Sequence, residues 1–138
     1  MTTYTEYLTA LGALTITGVT RTFTLGETPP GSLNAADLPA MWMQVPEGDH
    51  NPMDFGPGHI WPSYTADLLI AVLPYEHSTA GEVFQSVITM MDAIATALNA
   101  AAGQSLAWSS TTYTVRQALI TVNQIDYWGV VATVKATG

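Results

Sequence analysis

From Tyr64 onward every second residue is apolar and falls on one side: Tyr64, Ala66, Leu68, Ile70 and Val72. Thr65 and Asp67 alternate with them, after which Leu69, Ala71 and Leu73 turn the other side apolar too. A period of two commits this stretch to a strand. Two apolar sides commit it to the middle of a sheet, with one face partly covered by another layer. Thr79-Ala-Gly-Glu82 then opens a helix with a reciprocal cap, hydroxyl to amide and carboxylate to amide. Phe84, Val87, Ile88, Met91, Ile94, Ala95 and Leu98 follow at helical spacing, and Gly103 supplies a C-cap. Gln85, Ser86, Thr89, Asp92 and Thr96 form a polar, nearly uncharged outer side.

A short strand is expected at residues 106–109 with Trp108 inward. Residues 112–125 and 127–137 read as a hairpin turning within 123–126, where Asn and Asp favour turns. In its second strand Trp128, Val130, Ala132 and Val134 face inward, and Val131, Thr133, Lys135 and Thr137 face out. Towards the N-terminus, residues 3–14 read as a helix capped by Thr3 and Glu6, with Tyr4, Tyr7, Leu8 and Leu11 on one face and Gly12 weakening or ending the last turn. Residues 15–27 are rich in strand formers, broken at Gly18, so 19–25 is the better strand. Thr28-Pro-Pro-Gly is a turn, and a short strand at 40–45 ends at Pro46. Helix, two or three strands, helix and two strands make an α+β domain spanning 1–138. Its sheet is mostly antiparallel, of four to six strands, with the N-terminal helix and one long helix packed on a face.

The segment 46–63 departs from this regularity. It holds four prolines, three glycines, three acids and two histidines, so an irregular loop is expected. Loops of that length are usually functional or disordered, and Phe55, Ile60 and Trp61 point to one that packs on something. Asp49, His50, Asp54 and His59 are admissible metal ligands by type, yet their spacing matches no compact ligand motif. Solvated loop polarity is the plainer account, and no metal is expected. His77 follows Glu76, but neighbours on a strand point apart, so no oriented general base results. There is no Gly-x-Ser-x-Gly elbow and no phosphate loop with a lysine. Asp67 with Asp92, or Glu6 with Glu82, are better read as outer faces than as carboxylate pairs. Trp42, Trp61, Trp108 and Trp128 lack the interleaved basic residues of a nucleic-acid platform. They fit core or subunit contacts, as do Met41, Met43, Met53, Met90 and Met91. The chain reads as no enzyme and as needing no cofactor.

Charged residues are only 10% of the 138, against a usual share of about 25%. So few charges leave part of the surface to be covered by other subunits. The net charge is −8, with Arg21, Arg116 and Lys135 the only cations. Tight nucleic-acid binding and an anionic membrane are therefore disfavoured, while an acidic surface is compatible with a place near DNA, since it keeps DNA from sticking. Cysteine is absent, which removes disulfides and thiolate chemistry. The opening Met-Thr-Thr-Tyr-Thr-Glu lacks a basic signal-peptide start, and no uninterrupted apolar run reaches roughly 18 residues. A soluble cytoplasmic protein is the expectation.

Two passages carry a resemblance: Tyr64-Thr-Ala-Asp-Leu-Leu-Ile-Ala-Val leading into Thr79-Ala-Gly-Glu-Val-Phe, and Ile120-Thr-Val-Asn-Gln-Ile-Asp-Tyr-Trp-Gly-Val-Val-Ala-Thr-Val. With the element order around them, the chain resembles the tail terminator (tail completion) proteins of long-tailed bacteriophages, a family that no invariant motif defines. The resemblance covers most of the chain. It implies a ring, usually a hexamer, that caps the tail tube, offers a surface for head joining and has no active site. DNA would pass its lumen without specific binding. The implied partners are copies of the chain itself, the tail tube protein and a head-completion or neck protein. The implied location is the virion tail or neck, and the host cytoplasm during assembly, with no membrane. Ring contacts of this kind are head to tail. The scarcity of charge departs from the family, whose members often carry more basic side chains. Expected contact residues are Asp49, His50, Asp54, Phe55, His59 and Trp61 in the loop, and Asn123 and Asp126 at the hairpin tip. The alternatives are another phage structural subunit (tail tube, minor capsid or neck) and a small ligand-binding or enzymatic α+β domain. In the last, His50, Asp54, His59 and Trp61 would line the pocket.

Overall fold

The strand that is apolar on both sides lies at the centre of a five-stranded sheet. A computed structural model describes residues 3–24, 30–49, 63–75, 80–101 and 110–137. Along the chain these form α1 (Tyr4–Gly12), β1 (Arg21–Thr22), β2 (Ala40–Asp49), β3 (Ser63–Pro74), α2 (Ala80–Ala101), β4 (Ser110–Val122) and β5 (Ile125–Thr137), with one 3-10 turn at Ala35–Asp37. The sheet order is β1-β2-β3-β5-β4. β1 runs parallel to β2 and every other neighbour is antiparallel. This is the α+β architecture expected, with both helices on one face.

Under the helices lie Met41 and Met43 of β2, Tyr64, Ala66, Leu68, Ile70 and Val72 of β3, and Val130, Ala132, Val134 and Ala136 of β5. Period-two alternation delivers all of them to one side. The expected cap of α1 is present: the Glu6 amide donates to Thr3 Oγ1 and the Thr3 amide to Glu6 Oε2. Tyr7 stacks on Tyr64 at 5.7 Å and Tyr4 meets the same ring edge-on at 5.1 Å. Tyr7 also donates its hydroxyl to the Val134 carbonyl. One buried tyrosine thus ties the first helix to two central strands.

On α2 the buried row is Val83, Val87, Met90, Ile94, Leu98 and Ala101. The expected row was Phe84, Val87, Ile88, Met91, Ile94, Ala95 and Leu98, of which Val87, Ile94 and Leu98 are buried. Phe84 is instead 62% exposed and Ile88 41% exposed, while Met91 and Ala95 are half-buried. The helix carries two adjacent apolar rows one residue apart, and only one can be centred on the sheet. α2 is also long and apolar enough, by length and composition alone, to cross a membrane, but its inner row closes the core.

The opposite sheet face holds a second, smaller core of Phe23, Trp42, Leu69, Ile120, Tyr127 and Val131, with Leu33 and Leu38 packed against it. Val131, expected to face out as part of a polar row, is buried there. Three further boundaries differ. β2 passes through Pro46 to Asp49, accommodated by a register shift between Gln44 and Glu47 and by Val45 at φ 56°; proline is tolerated at such edge-strand bulges. The irregular segment expected at 46–63 thus gives up 46–49 and Ser63 to strands. Of the strand expected at 19–25 only Arg21–Thr22 pairs; Leu25 lies outside the described residues. The hairpin turn takes two residues, Asn123 and Gln124, with φ 51° and 65°. Two successive positive φ values are those of a type I′ turn, whose twist suits long strands.

Candidate functional site

The three expected contact residues that are described, Asp49, Asn123 and Asp126, fall at opposite ends of the sheet. Asp49 is the exposed last residue of β2 and pairs with Ser63, which pairs with Thr137. Asn123 and Asp126 flank the turn at the other end of β5. At ~3.3 Å per residue along β5 the two places are roughly 40 Å apart, so they cannot form one site. Asn123 is exposed, whereas Asp126 is half-buried and engaged. Its Oδ1 accepts from Thr121 Oγ1 at 2.6 Å, and its carbonyl accepts from the Tyr75 amide. His50, Asp54, Phe55, His59 and Trp61 lie outside the described residues, as do His77, Trp108 and the Thr79 cap.

Among the remaining candidates, Asp67 and Asp92 stand on opposite sides of the sheet layer. Asp67 faces away from the helices and accepts from Thr133 Oγ1 at 2.8 Å, while Asp92 is exposed on α2. Glu6 is taken up in the α1 cap. No group of three or more His, Asp or Glu converges among the described residues. Burial pushes the Tyr7 phenol well above the usual tyrosine range, only partly offset by a backbone hydrogen bond from the β3 side at Ala66. Burial does the same to Tyr64, with Tyr4 and Glu6 adding to it. Both are core rings. An open groove of about 710 Å³ runs between the start of α2 and the chain near Gly18 and Pro39. Val72, Leu73, Met90 and Ala93 line it, and Glu82 is its one ionisable lining residue among those described.

The surface features that remain are two sheet edges and one helix flank. β4 is an edge strand of 13 residues in unbroken register with β5 from Ser110 to Val122. It contains no proline or glycine and one charge, Arg116. Among the described residues no strand pairs with its outer side. Long, regular, nearly uncharged edges offer unpaired N–H and C=O groups to another chain. The opposite edge differs. Among the described residues β1 covers β2 at Ala40 and Met41, and beyond that β2 carries the Val45 bulge, Pro46, Glu47 and Asp49.

The exposed Phe84 and Ile88 belong to the flank of α2 that overhangs β4. Steps of three and four residues along this side lead from Ile88 through Met91 and Ala95 to Asn99, and Asn99 Oδ1 accepts from the Tyr113 hydroxyl of β4 at 2.7 Å. Leu119, on the helix side of β4, is 50% exposed. Apolar side chains left open beside a free strand edge are what a subunit contact buries. This surface was missed in the sequence because Phe84 and Ile88 were assigned to the core. The signal was present in the doubled apolar rows of α2.

Two cations share one surface. Arg116 and Lys135 lie on the sheet face away from the helices, exposed among Thr65, Thr112, Thr114 and Thr133. The third, Arg21, stands 3.6 Å from Asp37 and over the Phe23 ring at 4.3 Å. Neither family models nor curated proteins match the chain.

Proposed function

We propose that this chain is a structural virion subunit that closes into a ring at the end of a phage tail tube and joins the tube to the head. The observation that carries the reading is the open apolar flank, Phe84 and Ile88 with Leu119, beside the edge of β4 with which no described strand pairs. A chain with so few charges has little else to keep such a surface in water. The element order agrees with the resemblance to tail terminators. The separation of the two expected contact places suits a part that meets different neighbours at its two ends, tube below and neck above. The net charge of −8 leaves the DNA backbone unattracted as it passes. On this reading the work is done by shape and self-complementary contact.

Addition of the purified protein to tail tube protein during polymerisation tests it, with tubes viewed by negative-stain electron microscopy. The expected result is a single extra disc at one end and arrested elongation. Incorporation along the whole tube would make the chain a tube subunit. Tubes that lengthen unchanged and carry no disc would refute the assignment.

A further inference from the structure

Among the described residues both edges of this sheet are open beyond β1, and they differ in a directional way. We infer that the sheet continues from subunit to subunit, the outer edge of β4 in one copy pairing with the outer edge of β2 in the next. This rests on the ring reading and adds how the ring is joined.

Three observations select a second copy as the occupant, and β2 as its edge. First, strand direction fits. β4 is antiparallel to β5, β5 to β3, and β3 to β2, so β4 is antiparallel to β2. Copies related by rotation about a ring axis therefore meet as an antiparallel pair, the same ladder that joins strands 2 to 5 within the subunit.

Second, the charges are opposite and on one face. Arg116 of β4 and Lys135 of the adjoining β5 lie on the sheet face away from the helices. Glu47 and Asp49 pair with Thr65 and Ser63 on that same face, at the β2 edge. At these positions the β4 side is cationic and the β2 edge anionic, while Arg21 on the β2 side is matched by Asp37. Pairing β4 with a second β4 about its middle would instead set Arg116 against Arg116, and like charges directly opposite are destabilising.

Third, the helix layer matches. Phe84 and Ile88 are exposed on the side of α2 that meets β4 through Asn99 and Tyr113, and the β2 edge offers a largely apolar hollow lined by Thr9, Gly12, Ala13, Thr22, Phe23, Thr24 and Met43. In a head-to-tail arrangement the flank and the hollow face each other. The bulge at Val45 and Pro46 limits the ladder to part of β2 and adds local twist, so successive subunits turn rather than extend flat. A heterologous contact makes a ring when that turn closes, as the ring reading requires.

A charge exchange tests the pairing, read as mass by light scattering after size exclusion. Arg116→Glu makes both edges anionic; Glu47→Arg with Asp49→Arg makes both cationic. Each variant alone is expected to need about tenfold more protein to assemble. Mixed in equal amounts, or combined in one chain, they regain the wild-type assembly. All three positions are exposed, so melting temperatures should stay near wild type and separate lost contact from lost fold. If the wild type assembles and both variants assemble equally well, the edge pairing is wrong and the ring stands. If Arg116→Glu tightens association into dimers, β4 pairs with itself and the inference is overturned. A wild type that remains a monomer even with tail tubes overturns the ring reading together with this one.

Discussion

Gly129 sits where β5 has no room for a side chain, and Gly129→Ala measures how tightly the central strands are held. A methyl group there would lie 2.4 Å from the Ile70 carbonyl oxygen and 2.5 Å from Ile120 Cδ1. Real contacts of this kind are about an ångström longer. Ile120 can rotate away, but the Ile70 carbonyl belongs to the middle strand, which is held by ladders on both sides. Gly129 pairs with Ala71 and Ala118, next to the register shift between Ala71 and Leu73. Overpacking that moves backbone typically costs about 1–3 kcal/mol, and the carbonyl contact places this case at the upper end, about 2–3 kcal/mol. For 138 residues each kcal/mol moves the melting temperature by about 3–4 °C. Calorimetry should therefore show Gly129→Ala melting about 7–10 °C below wild type. Adding Ile120→Val removes one of the two clashes and should recover only part of the loss. A fall of less than about 2 °C, or full recovery in the double variant, would refute the claim that β3 cannot yield.

Three further outcomes follow from single positions. Gln124 holds φ 65° in the hairpin turn, a region that costs a side chain about 1–2 kcal/mol; Gln124→Gly should stabilise by about 1 kcal/mol in urea unfolding without changing assembly. Tyr7 is buried with a raised pKa, so above pH 10 the unfolded chain loses a proton that the folded state keeps. Its contribution is complete below that pH and declines as pH rises, at up to about 1.4 kcal/mol per pH unit. Urea unfolding from pH 9 to 11 should be steeper for wild type than for Tyr7→Phe. Phe84→Ser with Ile88→Ser alters exposed side chains and should leave the melting temperature within about 2 °C. The same pair should abolish the assembled species in light scattering.

Much of the fold is legible because β3 and β5 alternate cleanly and one helix carries a strong apolar row. The capping box at Thr3 and Glu6 marked the start of α1 through local chemistry alone. What failed involved choices that only tertiary packing decides. α2 has enough apolar residues for two rows, and periodicity does not say which row meets the sheet; β3, β4 and β5 cover the row Val83, Val87, Met90, Ile94, Leu98 and Ala101 and leave Phe84 and Ile88 outside. Val131 alternates like a solvent-facing residue, yet it is buried in the second core, against which Leu33 and Leu38 pack. Pro46 reads as a stop signal, but at an edge strand its missing N–H breaks no ladder. Of the expected contact residues only Asp49, Asn123 and Asp126 are described, and their separation follows from registers that no local pattern contains. The charge asymmetry between β2 and β4 was equally hidden, because Arg116, Lys135, Glu47 and Asp49 share a face only once the sheet is assembled.

The central claim is that this chain closes on itself, and the mass of the purified protein in solution tests it most directly. Light scattering after size exclusion, across protein concentration and salt and with tail tubes added, gives that mass. The account predicts one species at a fixed whole-number multiple of 14.7 kDa, formed by the protein alone or on contact with tubes, that does not grow with concentration. An open-ended series of masses, or a monomer that ignores tubes at every concentration, would contradict it.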